Sequence, residues 1–292
     1  MPRFAYVNGR FVPHGKAAVH IEDRGYQFAD GVYEVIAVMD GKFADDAGHL
    51  ARLKHSLDAL RIPMPMDERA LGSVMRTLVR RNGLRDGSIY IQVTRGVAPR
   101  DFKFPKNPRP SIVMTTSRSN PAMAQHWEKG VSVVTVKDIR WARREIKTVG
   151  LLAQVLAKQA AADAGAFEAW MVDAEGYVTE GGSSNAWIVT KDGVLVTRKP
   201  NGSILHGVTG NAIEALAAEF QIPVERRSFT PDEAYRASEA FLTSATTFCV
   251  PVVRIDGKKI GTGQPGPVAQ KLRAAYFAYA RERQSAQIPW AQ

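Results

Sequence analysis

Hydrophobic and polar positions alternate with two different periods along the chain, and the change of period marks the elements. Short apolar runs at 4–7, 11–12, 32–39 and 42–43 flank the dipeptides Asn8-Gly9 and Asp40-Gly41. Both dipeptides tolerate the positive φ of a tight turn, so each pair of runs predicts an antiparallel hairpin. From 49 to 60 the period lengthens: Leu50, Leu53, Leu57 and Leu60 fall on one helical face. Asp67 is placed to cap a second helix that runs to about Arg81 and closes at Asn82-Gly83. Strands follow at 89–94 and 111–116, separated by a loop rich in Pro and Lys at 101–110.

Near 117–125 Ser, Asn and Pro displace apolar residues. This predicts an N-terminal α/β domain at 1–117, a linker at 118–127 and a C-terminal domain at 128–292. The second part reads as a strand at 131–136, an alanine-rich helix at 151–164, and strands at 169–172, 186–190 and 194–197. A helix at 209–220, strands at 224–229, 240–243 and 250–255, and an amphipathic helix at 267–283 complete it. The alternation has no regular βαβ period, which predicts an α+β fold rather than a doubly wound sheet.

Composition narrows the function classes. The 292 residues are 45% hydrophobic and 23% charged, the balance of a globular enzyme. No run approaches the ~20 apolar residues that span a bilayer, so no membrane association is expected. The first residues read as a hairpin rather than a signal peptide, and the single cysteine, Cys249, excludes an internal disulfide. Together these predict a cytoplasmic enzyme. The net charge of +10 suits either nucleic acid or anionic small molecules. The densest basic stretch, 140–147, is interrupted by Trp141, Glu145 and Ile146, and no nucleic-acid-binding motif is present, so no nucleic-acid partner is expected.

The candidate chemistry sorts by context. Residues 261–266 (GTGQPG) match a dinucleotide-binding pattern, but too little chain follows for the second strand and its ribose-binding acid. No histidine pair has metal-ligand spacing and no G-x-S-x-G elbow occurs, which disfavours metal and serine hydrolysis. Residues 207–211 (GVTGN) lead into an apolar-periodic helix, and such a helix start can hold an anion. The same stretch also reads as an ordinary helix start capped by Thr209. Lys147, between Ile146 and Thr148-Val149, is either a desolvated, nucleophilic amine or a surface lysine in a loop. Glu180, followed by Gly181-Gly182-Ser183-Ser184, is either a carboxylate beside a closely approached flat ligand or a turn before a strand.

Taken in order along the chain, these residues resemble one family, the fold-type IV pyridoxal-5′-phosphate (PLP) enzymes, and within it the D-amino-acid aminotransferases. The matching stretches are DRGYQFADGVYE at 23–34, LARL at 50–53, QVTRG at 92–96 and DIRW at 138–141 running on to Ile146-Lys147. TEGGSSN at 179–185, ILHGVT at 204–209 and TSAT at 243–246 complete the set.

The resemblance implies a two-domain α+β enzyme with PLP in the interdomain cleft, 128–292 being the PLP-binding domain. It implies that Lys147 carries PLP covalently and moves the proton in catalysis, while Glu180 pairs with the pyridine nitrogen. Arg52 would grip the cofactor phosphate with the backbone at Val208 and Thr209, with Leu205 packed on the ring and Ser183 and Ser244 also at the cofactor. Tyr33, Val35 and Arg100 would address the substrate, Arg100 arriving on a loop of the neighbouring subunit of a homodimer. The implied reaction moves an amino group between a D-amino acid and a 2-oxo acid.

The chain departs from the family pattern at several positions. Phe102 stands where a histidine is common, and it cannot donate a hydrogen bond to a carboxylate. Ala37 replaces a usual lysine, Gly210 an arginine, Ala245 a threonine and Gly182 a serine. Phe102 and Ala37 weaken the polar trap for a carboxylate. This keeps an (R)-selective amine transaminase open beside a branched-chain aminotransferase and an aminodeoxychorismate lyase. A non-catalytic, basic anion- or nucleic-acid-binding protein is the alternative from another class.

Overall fold

The structure, a computed structural model, describes residues 2–120 and 123–286. Positions 121–122 of the expected linker and 287–292 of the expected second domain lie outside the described residues. The chain divides into two compact units, Met1–Asn120 with Ile146–Gly150, and Pro121–Glu145 with Leu151–Gln292.

The first unit contains β1 (Phe4–Val7), β2 (Arg10–Pro13), α1 (Arg24–Phe28), β3 (Gly31–Met39) and β4 (Lys42–Phe43). It continues with α2 (Asp46–Leu60), α3 (Glu68–Arg81), β5 (Gly87–Thr94) and β6 (Ser111–Arg118). Its six strands form one antiparallel sheet in the order β2-β1-β6-β5-β3-β4. Both predicted hairpins are present, with φ of 44° and 92° at Asn8 and Gly9 and of 49° and 78° at Asp40 and Gly41. These mirror-type turns match the right-handed twist of the strands they join. Asp67 caps α3 by accepting from the Ala70 amide at 2.8 Å.

Alternation along the central strands decides what each face meets. Val32, Ile36 and Val38 of β3 and Ile89, Ile91 and Val93 of β5 join Leu53 and Leu57 of α2 and Leu71, Met75 and Leu78 of α3 in one buried core. Each such side chain contributes roughly 1.5–3 kcal/mol on full burial. The intervening residues pair across the strands on the other face, Tyr33 with Gln92 and Val35 with Tyr90.

The second unit contains α4 (Met123–Lys129), β7 (Val131–Lys137), α5 (Leu152–Asp163), β8 (Glu168–Val172), β9 (Val178–Gly181), β10 (Asn185–Val189) and β11 (Leu195–Thr197). It continues with α6 (Val208–Glu219), β12 (Val224–Arg226), α7 (Pro231–Arg236), β13 (Glu239–Ser244), β14 (Phe248–Ile255), β15 (Lys258–Lys259) and α8 (Pro267–Ala286). Its sheet runs β12-β11-β10-β13-β14-β7-β8-β9, with β15 added to β14. Parallel β7–β8 and β14–β7 pairs sit beside antiparallel neighbours, a mixed sheet in keeping with an α+β fold.

Two features differ from the pattern reading. Much of the expected 118–127 linker is ordered as α4, where Trp127 donates to the Thr247 carbonyl at 2.9 Å and packs on Phe248 and Phe277. The units also exchange chain more than once, because Ile146–Gly150 belongs to the first unit. Thr148 bridges Val32, the Tyr33 amide donates to the Lys147 carbonyl at 2.9 Å, and Ile146 enters the first core. Five residues are too few to show a strand period, so only the pairing reveals this segment.

Candidate active site

In the first unit the candidate residues gather around β3. Lys147 is held by its backbone: its carbonyl accepts from Tyr33, and its amide donates to Ser56 Oγ of α2 at 3.2 Å. Its Nζ lies 4.4 Å from the centroid of the Tyr33 ring. That ring stacks on Tyr90, with centroids 5.6 Å apart. The Tyr90 hydroxyl donates to Gln92 Oε1 at 2.8 Å, and burial together with Tyr33 pushes its pKa up to about 12. Lys147, Tyr33, Val35, Tyr90 and Gln92 thus meet at β3 and β5, on the face turned away from the helical core. In the sequence Tyr90 stands only within the expected strand 89–94, and Gln92 only as the first residue of the QVTRG stretch.

Arg52 lies on the opposite side of β3. Its Nε and Nη2 donate to the two carboxylate oxygens of Glu34 at 2.7 and 2.9 Å, and His49 Nδ1 is 2.8 Å from Glu34 Oε2. Burial alone would raise the Glu34 carboxyl, but hydrogen bonds from Arg52 and His49 override it and bring the pKa down to about 2. Arg100 is exposed on the loop after β5, its guanidinium carbon 4.6 Å from the centroid of the Phe28 ring. Phe102 touches the same ring and is 84% exposed.

In the second unit Glu180, at the end of β9, is the centre of a buried polar cluster. It pairs with Arg140, accepts from Asn185 Nδ2 at 2.9 Å, and accepts from the Leu205 amide at 3.2 Å. Asp138 grips the same guanidinium, with Nε–Oδ1 of 3.0 Å and Nη2–Oδ2 of 2.8 Å. Thr179 Oγ1 also donates to Asp138. Burial pushes Asp138 up, but Arg140 and Thr179 outweigh it and hold its pKa at about 2. Arg140 in turn is raised against its burial by Asp138 and Glu180. Arg140 and Asn185 lie inside the quoted stretches, yet their bonds to Glu180 span 40 and 5 residues and depend on strand pairing.

Three residues beyond Leu205, α6 begins at Val208 with Gly207 as its N-cap and no side chain capping it. Thr209 lies in the first turn rather than at the cap and is buried. The capping alternative for this stretch is therefore absent, and the helix start retains amide donors suited to an anion. Ser183 Oγ donates to Glu168 Oε2 at 2.8 Å, and Ser244 Oγ lies 2.7 Å from Thr247 Oγ1, so both hydroxyls have protein partners. Glu168 also accepts from Ser184 and ties the 181–184 turn to β8. Its role was not legible in sequence.

The first unit thus offers an amine and a guanidinium, and the second a buried carboxylate and a helix start, each a group type that suits a phosphorylated aldehyde with a basic ring nitrogen. The comparisons with known proteins agree in kind. A D-alanine aminotransferase of Staphylococcus haemolyticus is 37% identical over 96% of this chain and 99% of its own length. Another, of Bacillus licheniformis, is 41% identical over 92% of this chain and 94% of its own. Among solved structures, the branched-chain amino acid aminotransferase of Escherichia coli superposes with a TM-score of 0.92 at 25% identity, covering 99% of this chain and 98% of that one. That of Thermoproteus uzoniensis, solved with norvaline, gives 0.87 at 25%, covering 99% and 98%. A further branched-chain enzyme, solved with pyridoxamine 5′-phosphate, gives 0.90 at 27%, covering 99% and 96%. The pattern of the family described as amino-transferase class IV matches residues 31–255, and by that match and these relatives the chain belongs to the class IV aminotransferases.

Proposed function

We propose that this aminotransferase uses PLP to move an amino group from a D-amino acid to a 2-oxo acid. The observation that carries the reading is the second unit's Glu180, a carboxylate held on three sides by Arg140, Asn185 and the Leu205 amide. Such a group can keep a proton on a ring nitrogen without moving to do so. PLP, when bound, supplies a conjugated ring that accepts the electron pair left on the substrate α-carbon. Lys147 Nζ would hold the cofactor through its aldehyde carbon and, once the substrate amine has displaced it there, would carry the proton of the α-carbon. Arg52 and the amides of Val208 and Thr209 would bind the phosphate, and Leu205 would pack on the ring. Ser183 and Ser244 act at the cofactor through the turn and strand end they stabilise. Tyr33 and Val35 line the substrate side of β3, and Arg100 orients the substrate carboxylate.

The D preference rests on the D-alanine aminotransferases among the relatives. The branched-chain enzymes among the similar structures support a second reading, an L-amino-acid donor. The exposed Phe102 favours a third, an (R)-amine without a carboxylate. A panel of D-alanine, D-glutamate, L-leucine and an (R)-amine, each followed by loss of the cofactor's visible absorbance, separates them. The D-amino acids react fastest if the proposal holds, and a preference for L-leucine overturns it.

The reading extends to a homodimer in which the Arg100 loop serves the neighbouring subunit. Ile21, Tyr26 and Phe102, 76%, 76% and 84% exposed in one chain, support it. Among the described residues no helix is long and apolar enough to cross a membrane, and a cytoplasmic location completes the proposal.

A further inference from the structure

Helix α2 presents a polar stripe to β3: His49, Arg52 and Ser56 follow one another at helical spacing, in a face otherwise formed by Leu53 and Leu57. The stripe meets Glu34, which is fully buried in the first unit and stands between Val32 and Ile36 on the core side of β3. A carboxylate there is costly unless fully paired. Its pairing is complete: Arg52 takes both oxygens in a fork, and His49 shares Oε2.

A fork of this kind fixes a guanidinium in plane as well as in position. The Nε–Nη2 edge of Arg52 is committed to Glu34, which leaves the guanidinium a single orientation. We propose that Glu34, with His49, is the positioning residue that holds the Arg52 guanidinium in the orientation in which it binds the cofactor phosphate. The proposal rests on the reading of Arg52 as a phosphate ligand and adds the group that orients it. The surrounding groups permit no substitute, since the neighbours of Glu34 along β3 on this face, Val32 and Ile36, are apolar. Glutamine would set an amide N–H against the guanidinium or against His49, and the fork would open.

The test compares PLP with pyridoxal, which lacks the phosphate, on the full chain freed of bound cofactor. Binding is followed by the visible absorbance formed with Lys147. Pyridoxal reports on fold and amine, whereas the ratio of the two affinities reports on phosphate recognition alone. Glu34→Gln is expected to weaken PLP by about tenfold, the size of one lost charge-assisted contact, and to leave pyridoxal unchanged. Glu34→Asp, which keeps the charge but withdraws it by one methylene, is expected to lower the ratio in the same direction. If Glu34→Gln binds neither compound, the ratio is read from Glu34→Asp. An unchanged ratio in Glu34→Asp, or an equal loss of both compounds in it, overturns the positioning role. Arg52→Gln separates the two ideas. If it collapses the ratio while the Glu34 variants do not, Arg52 remains a phosphate ligand and Glu34 is only structural. If it leaves the ratio intact, the phosphate assignment itself falls and the proposal with it.

Discussion

Gly207 lies directly against Asn185: a Cβ added to the glycine would fall 2.0 Å from Asn185 Oδ1. Asn185 is the residue whose amide donates to Glu180, and Gly207 is the uncapped start of α6. Two elements of the proposed cofactor site therefore share one close contact.

Gly207→Ala tests that contact. The methyl group must displace Asn185, and losing its buried hydrogen bond costs about 1–3 kcal/mol. Titration with PLP should show at least roughly tenfold weaker binding. Binding at the wild-type level would mean that Asn185 relaxes at no cost and that its bond to Glu180 does not matter.

Lys147→Ala should abolish transamination, and borohydride should no longer attach PLP irreversibly to the chain. The motive is the position of Nζ over Tyr33 on a segment anchored to both β3 and α2. Because that anchoring uses the backbone of residue 147, the variant keeps it and should fold. Turnover at the wild-type rate would remove Lys147 from the chemistry.

Arg100→Ala should raise KM for amino acids more than for an (R)-amine such as 1-phenylethylamine. The guanidinium sits over Phe28 on an exposed loop, beside a Phe102 that offers no hydrogen bond. Equal effects on both donors, measured as kcat/KM, would separate Arg100 from carboxylate recognition.

Acid should unfold the second unit through Asp138. Its carboxyl is depressed from 3.8 to about 2 by Arg140 and Thr179 against the opposing effect of burial. A depressed carboxyl contributes stability above its unfolded pKa and loses it as the pH falls through the folded one. The urea midpoint should therefore be insensitive to this group above pH 3.8 and fall steeply toward pH 2. Tryptophan fluorescence reads this unit, because Trp127, Trp141, Trp170 and Trp187 belong to it and the first unit holds no tryptophan. Asp138→Asn should flatten that acid limb, and a limb as steep as in the wild type would assign it to other carboxylates.

Much of the architecture was legible in the chain itself. Asn8-Gly9 and Asp40-Gly41 specify turns because few other residues accept positive φ, and the spacing Leu50, Leu53, Leu57 specifies a helix because one face must be buried. The order of Lys147, Glu180, Val208 and Thr209 was enough to suggest the chemistry. What the linear pattern could not contain was partnership across distance. The pairing of β3 with residues 146–150 moves Lys147 into the first unit, away from the domain expected to hold it. Glu34 reads as the one polar position on a buried strand face until α2 brings Arg52 and His49 onto it. Ser183 stands in the quoted TEGGSSN stretch, but its bond to Glu168, 15 residues earlier, appears only in the fold. Periodicity reports which face of an element is buried, a local property of side-chain transfer between water and core. Which charged group then meets which is settled by strand register and helix packing, and these exist only once the chain has folded.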